Sequence, residues 1–334
     1  RKDKTPVTYE ELYDEPSSVN KFFVGFQPLY GELFTANVNA GFGVEAVYYH
    51  KDKMDFKAQF RKTYSRKFFD FSRDQAMNSN DGDNRAQVYS YYELGATYHV
   101  KDFEQASKTK MFLFKNSYKG NKWSARVPLF AEVPSKVRKI YGARLGGIAW
   151  ASATELNRAL TKQGLTLDHL RSTTNSDLAI PSQENDQSGR PQNVDLFTNI
   201  STKTVYLGGS LGWIRNVAVS FDKYEEGVDD LMLTVFADIL VAPSVMIDDV
   251  VYTQKDNLGN RLSTDTYSVS PLKTAPVGFR LGIDGRFNRT FSWAYGGEIG
   301  YRPGIQGRQF FALFKISFPM YGTNLDYKVE SFGK

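Results

Sequence analysis

From residue 277 to residue 318 the chain reads VGFRLGIDGRFNRTFSWAYGGEIGYRPGIQGRQFFALFKISF. Val277, Phe279, Leu281, Ile283 and Phe287 occupy the odd positions of its first stretch. Gly278, Arg280, Gly282, Asp284 and Arg286 occupy the even ones. The alternation restarts after Asn288-Arg289 and again after PGIQG. A period of two is the strand signal, because successive side chains point to opposite faces of a sheet. A soluble strand typically runs for roughly 5–6 residues, whereas a strand that crosses a bilayer needs about 9–11. Long strands with phenylalanine on one face and glycine and arginine on the other fit the second case.

The same rhythm runs through most of the chain. It predicts strands over 22–26, 34–48, 54–68, 88–101, 108–117, 122–133, 138–151, 202–214, 217–224, 230–242, 245–254, 277–287, 291–302 and 310–318, about fourteen in all. Residues 1–18 read as a polar tail with one possible helical turn at 9–13. Residues 153–200 lose the alternation and read as one long loop, with a short helical candidate at 155–170. The connections sort by parity. Those after even-numbered strands (HKDK, DFEQAS, PSK, Arg215-Asn216, Pro243-Ser244, Asn288-Arg289) are short, and the loops at 70–86, 153–200 and 255–276 all follow odd-numbered strands.

Long two-faced strands, an even strand number and this sorting resemble an integral outer-membrane β-barrel of Gram-negative bacteria. The resemblance covers residues 19–320 and rests on architecture. It implies an all-β chain forming a closed antiparallel transmembrane β-barrel of about fourteen strands. A periplasmic tail at 1–18 would precede the barrel and a C-terminal tail at 321–334 would follow it, with the whole in the bacterial outer membrane. Where such barrels commonly end on an aromatic residue, Phe318 is followed here by PMYGTNLDYKVESFGK. Tyr48, Tyr98, Trp123, Trp213, Trp293 and Tyr301, near strand ends, suit interfacial aromatic girdles.

Composition adds little to this picture and removes some alternatives. No run of about eighteen apolar residues marks a transmembrane helix. The net charge of +5 is spread among interleaved acids and bases, which argues against a nucleic-acid groove. His50, His99 and His169 are too scattered for a metal cluster. The segment NSNDGDN at 78–84 misses the EF-hand spacing, with Met77 and Val88 at the first and twelfth places. Neither a catalytic site nor a cofactor is expected.

The informative constellation is the inward face. Glu45, Asp55, Lys57, Arg61, Glu93, Arg126, Glu132, Arg144, Arg280, Asp284, Arg286, Glu298 and Arg302 fall on it, and charges of both signs in a confined lumen can pair into a network that stiffens and fills it. Gly282, also on that face, is expected to accept a small polar side chain. The expected function is non-catalytic: a structural or accessory subunit of a larger outer-membrane assembly. Its expected partners are outer-membrane lipid, lipopolysaccharide and outer-membrane or periplasmic proteins. The alternative is a solute pore partly plugged by the 153–200 loop.

Overall fold

The computed structural model describes residues 8–19, 21–50, 53–64, 69–79, 82–113, 129–185, 188–221, 226–256, 260–288 and 293–324. The strands longer than two or three residues, and one short strand that braces them, are in chain order β1 (Tyr9–Asp14), β2 (Lys21–Phe34), β3 (Asn39–His50), β4 (Met54–Thr63), β5 (Ser90–Leu113), β6 (Leu129–Glu155), β7 (Phe197–Ile214), β8 (Val217–Phe221), β9 (Gly227–Asp229), β10 (Leu231–Ile247), β11 (Val250–Lys255), β12 (Arg261–Ser268), β13 (Val277–Phe287), β14 (Ala294–Tyr301) and β15 (Phe310–Asn324). Ten of them close into one barrel in the order β7-β10-β13-β14-β15-β2-β3-β4-β5-β6, every pair antiparallel. No described helix is long and apolar enough to cross a membrane.

The barrel therefore has ten strands, not about fourteen, and the difference has a physical cause. Polar stretches that resemble turns lie within continuous strands, with an irregular register beside Pro243-Ser244. DFEQAS lies inside β5, PSK inside β6 and Pro243-Ser244 inside β10. Two further stretches leave the barrel: β8 joins β1 and β9 in a small sheet, while β11 pairs with β12 above the barrel mouth. Residues 9–14 are strand rather than a helical turn. Residues 114–128, which include Trp123, Arg126 and parts of two expected strands, lie outside the described residues.

A second adjustment concerns the first strand. β2 continues to Phe34 and carries a bulge between Gln27 and Tyr30, so its inward residues switch from Phe23, Gly25 and Gln27 to Tyr30, Glu32 and Phe34. A bulge adds one residue to one strand and flips the parity beyond it. The next strand accordingly starts at Asn39, and Phe34 is buried where the unbroken alternation put it outside.

The outer wall of the barrel is apolar. On β13, Leu281 is 49% exposed while its neighbour Arg280 is 1% exposed. Leu94, Leu145, Leu207 and Ile299 continue this exposed aliphatic band around the wall. Aromatic tiers flank it. Phe60–Tyr92 and Phe279–Tyr301 lie towards one end, with centroids 5.1 and 5.4 Å apart. Tyr48–Phe56 and Trp293–Tyr295 lie towards the other, at 6.1 and 5.3 Å.

Because neighbouring strands are antiparallel, the connections 64–89, 156–196 and 248–276 all leave the same end, the loop end. They fold together there into a cap. Helix α1 (Phe71–Asn78) forms within the first of these connections and helix α2 (Leu156–Lys162) opens the second. Gln163 bonds reciprocally with Lys273, donating to its carbonyl at 2.9 Å and accepting from its amide at 2.8 Å. Leu156, Leu160, Leu170, Ile180, Val250 and Leu272 pack into one apolar cluster with the inward Phe34, Trp150 and Phe311 of the barrel, so the cap core and the upper lumen are continuous.

At the opposite end β5 and β6 project past the barrel as a two-stranded ribbon. There Val19, Phe23, Ile140, Ile214 and Met232 form a second apolar plug beneath the lumen.

Candidate functional site

Between the two plugs lies the lumen. A ten-stranded barrel is only slightly wider than the eight-stranded kind that side chains fill outright, so long cationic and aromatic side chains can occupy this one completely. They do so in tiers.

Nearest the cap, Arg302 donates to Glu32 at 2.6 Å and lies 4.3 Å from the centre of the Phe311 ring. Arg61 is fully buried with its guanidinium carbon 3.8 Å from the Tyr91 ring centre. None of its guanidinium nitrogens has a hydrogen-bond partner among the described residues. In the middle tier Arg280 reaches three carboxylates: Glu93 at 2.6 Å, Asp238 at 2.7 Å and Glu298 at 3.4 Å. Arg144 shares Asp238 at 2.9 Å and stacks 4.0 Å from Phe236. Towards the hairpin end Arg286 pairs with Glu45, while Lys315 bridges Asp284 at 2.9 Å and Glu45 at 3.6 Å. Lys57 completes this tier on Asp284 at 2.7 Å. A cavity of about 70 Å³ remains beside Lys57, Asp284 and Arg286, room for a few waters.

The charges are held by their neighbours as much as by one another. Tyr206 lies under Arg280, its ring centre 4.5 Å from the guanidinium, and it fits because Gly95 and Gly146 face it without side chains. Gly282 plays the same part for Phe236. A Cβ at Gly282 would stand 2.2 Å from that ring. The expectation that Gly282 accepts a small side chain thus meets a close contact, since an added side chain would have to displace the Phe236 ring.

Of the sequence-predicted residues, Glu45, Lys57, Glu93, Arg144, Arg280, Asp284, Arg286, Glu298 and Arg302 meet in these tiers. Arg61 lies among them without an ion pair. Asp55 sits at the hairpin-end rim facing His99 at 3.1 Å. Glu132 is exposed on the ribbon and does not face the lumen, because β6 has left the barrel by that point. Arg126 lies outside the described residues.

Three partners were missed: Glu32, Asp238 and Lys315. Lys315 alternates with the outward Phe314 and Ile316, so parity alone could have found it. Glu32 lies beyond the bulge, where parity flips. Asp238 sits in LMLTVFADILVA, a run apolar on both faces that hides which side is inward.

Outside the strands, Arg308 ties the last loop-end connection to the barrel, donating from Nε to the Thr35 carbonyl at 2.9 Å and from Nη1 to that of Glu155 at 2.6 Å. Burial pulls its pKa down to about 10. Among the described residues no group of three or more acidic or histidine side chains converges in a way that could hold a metal ion.

Fold and site together define a closed β-barrel with an apolar exterior and a lumen filled by its own ion pairs. No protein-family model matches the chain, and no curated protein matches it.

Proposed function

We propose that the chain is an integral outer-membrane β-barrel that serves as a non-conducting anchor, an accessory subunit of a larger assembly. One observation carries this reading: the strands that expose an apolar band on the outside enclose a lumen blocked along its length, by a cap core, a paired charge network and a second apolar plug. The band has a suitable height. The 11 residues of β13, at a rise of about 3.3 Å and a tilt of roughly 40°, span about 28 Å, near the ~25 Å apolar band of transmembrane barrels. Lipid and lipopolysaccharide would surround the band.

A pore needs a continuous wet path. Among the described residues the lumen offers a cavity of about 70 Å³ beside Lys57 and Asp284, too small to make such a path by itself. The purified protein in a planar bilayer is therefore expected to be silent. A large, steady conductance from the intact chain, lost on Arg280→Glu, would make it a selective pore and overturn the anchor reading.

A further inference from the structure

The pairing of β5 with β4 ends at Tyr98, and that of β6 with β7 ends at Arg138. Beyond these points residues 105–113 and 129–137 continue their ladder with each other alone. One face of this ribbon is covered. Met111 and Val133 pack with Val217, Val219 and Phe221 of β8, and the Lys136 amide donates to Asp14 at 2.8 Å. The other face carries Lys108, Lys110, Phe130, Glu132, Pro134 and Lys136, all exposed, with Glu132 directly opposite Lys110. Lys110 Nζ lies 3.8 Å from the centre of the Phe130 ring. Lys108 stands opposite Pro134 and Lys136 opposite Ala106, which makes the two lysines diagonal neighbours, with roughly 7–8 Å between diagonal positions.

The chain's charge is concentrated here. In sequence, residues 101–141 hold ten Lys and Arg against three Asp and Glu, a net of +7 in a chain whose total is +5. Four of those cations lie at 114–128, outside the described residues, and the described face itself carries three lysines and one glutamate. Two of the three acids are already engaged, Asp102 with Arg138 and Glu104 with the Ser17 hydroxyl. The third, Glu132, faces Lys110 across the ladder, which leaves Lys108 and Lys136 as the cations without an acid opposite them. A face that is net positive and backed by a dedicated sheet is suited to meet negative charge.

We propose that this face docks an acidic segment of a partner protein. The inference deepens the anchor reading, on which it rests, by naming the kind of partner the anchor holds. Lipid is the weaker occupant. The nine residues 105–113, at about 3.3 Å each, reach up to ~30 Å, well past a headgroup layer of roughly 5–8 Å per side. Strand addition is also disfavoured, since Pro134 lacks an amide donor and lysines blunt the free edges.

The test uses the full chain in nanodiscs of zwitterionic lipid with a fluorescent poly-glutamate peptide, read by anisotropy at low and high salt. Binding that salt weakens, and that K108E/K110E/K136E weakens about tenfold or more, is the expected result. An unchanged heat-modifiable gel shift shows that the variant's barrel is folded. Absence of peptide binding, or binding indifferent to the triple substitution, overturns the proposal. So does loss of binding to anionic-lipid vesicles in a variant whose parent ignores the peptide. Conductance of the same preparation separates the two readings. A silent barrel that ignores the peptide sinks only the docking face, and a conducting barrel that binds it sinks only the anchor.

Discussion

β6 obeys opposite rules in its two halves. Inside the barrel its odd residues face out and are apolar, with Leu145 58% exposed, while Arg144 on the even side is 6% exposed. In the ribbon the same odd side is buried, Val133 completely, and the even side is exposed and polar at Glu132 and Lys136. The extra residue where the two halves meet, Val100, lies on β5, so β6 itself keeps its parity throughout. The backbone is thus continuous and only the surroundings change. A soluble sheet hides its oil and shows its charge. The upper half of β6 does the reverse, the pattern of a wall covered by another apolar surface, which the proposed membrane setting would supply.

The largest effect should come from the lumen. Arg280→Met removes the one cation shared by Glu93, Asp238 and Glu298; Asp238 keeps Arg144, while Glu93 and Glu298 lose their ion pair. Leaving buried carboxylates without a partner typically costs about 3–5 kcal/mol, so a drop of that order in unfolding free energy is expected from urea titrations in lipid vesicles. Near-wild-type stability would mean that the lumen is wetter than the tiers imply.

Next comes a direct contrast on β6 itself. Leu145→Arg should cost about 2–4 kcal/mol if the band lies in hydrocarbon, whereas Glu132→Arg puts the same side chain on the ribbon's exposed face and should change stability by no more than about 0.5 kcal/mol. The same titration checks both. Equal tolerance at the two positions would erase the distinction between the halves.

Much of the barrel was legible because parity is local. Each face of β13 and β15 could be read from its own residues, and most of the lumen charges with them. What parity could not supply was where strands end. DFEQAS and PSK are polar because β5 and β6 have left the apolar band there, and the chain continues straight through them. In an inverted barrel a polar break marks a change of surroundings as often as a turn. Packing across the lumen was equally invisible. That Phe236 needs the missing side chain of Gly282 depends on two strands paired at Phe236–Gly282, a register that no local pattern reveals.

That packing gives the third prediction, of intermediate size. Gly282→Ser inserts atoms where Phe236 already stands and should cost about 1–3 kcal/mol, as overpacking does. The double variant Gly282→Ser/Phe236→Leu should recover part of the loss. If the single change is silent, the lumen-side tolerance expected from sequence is right and the tight stacking is not.

The smallest effect concerns the brace beneath the ribbon. Asp14 ends β1, accepts from the Lys136 amide, and is buried. Burial raises its pKa above the ordinary 3.8, outweighing the lowering by that amide bond. A carboxyl whose folded pKa is raised favours the docked state in its protonated form. The stabilising contribution is therefore complete below the unfolded pKa and is lost as pH rises through the folded value. The N-terminal strand should accordingly hold more firmly at acid pH than at neutral pH. Asp14→Asn keeps an acceptor for the amide and removes the charge, so it should hold the strand at pH 7 as firmly as acid does and flatten the dependence. A fluorophore on Glu10→Cys, followed through urea between pH 3 and 7, reads the release of β1. Release that becomes easier on acidification would show that Asp14 docks as a carboxylate, and that the ribbon's brace is held by charge and not by burial.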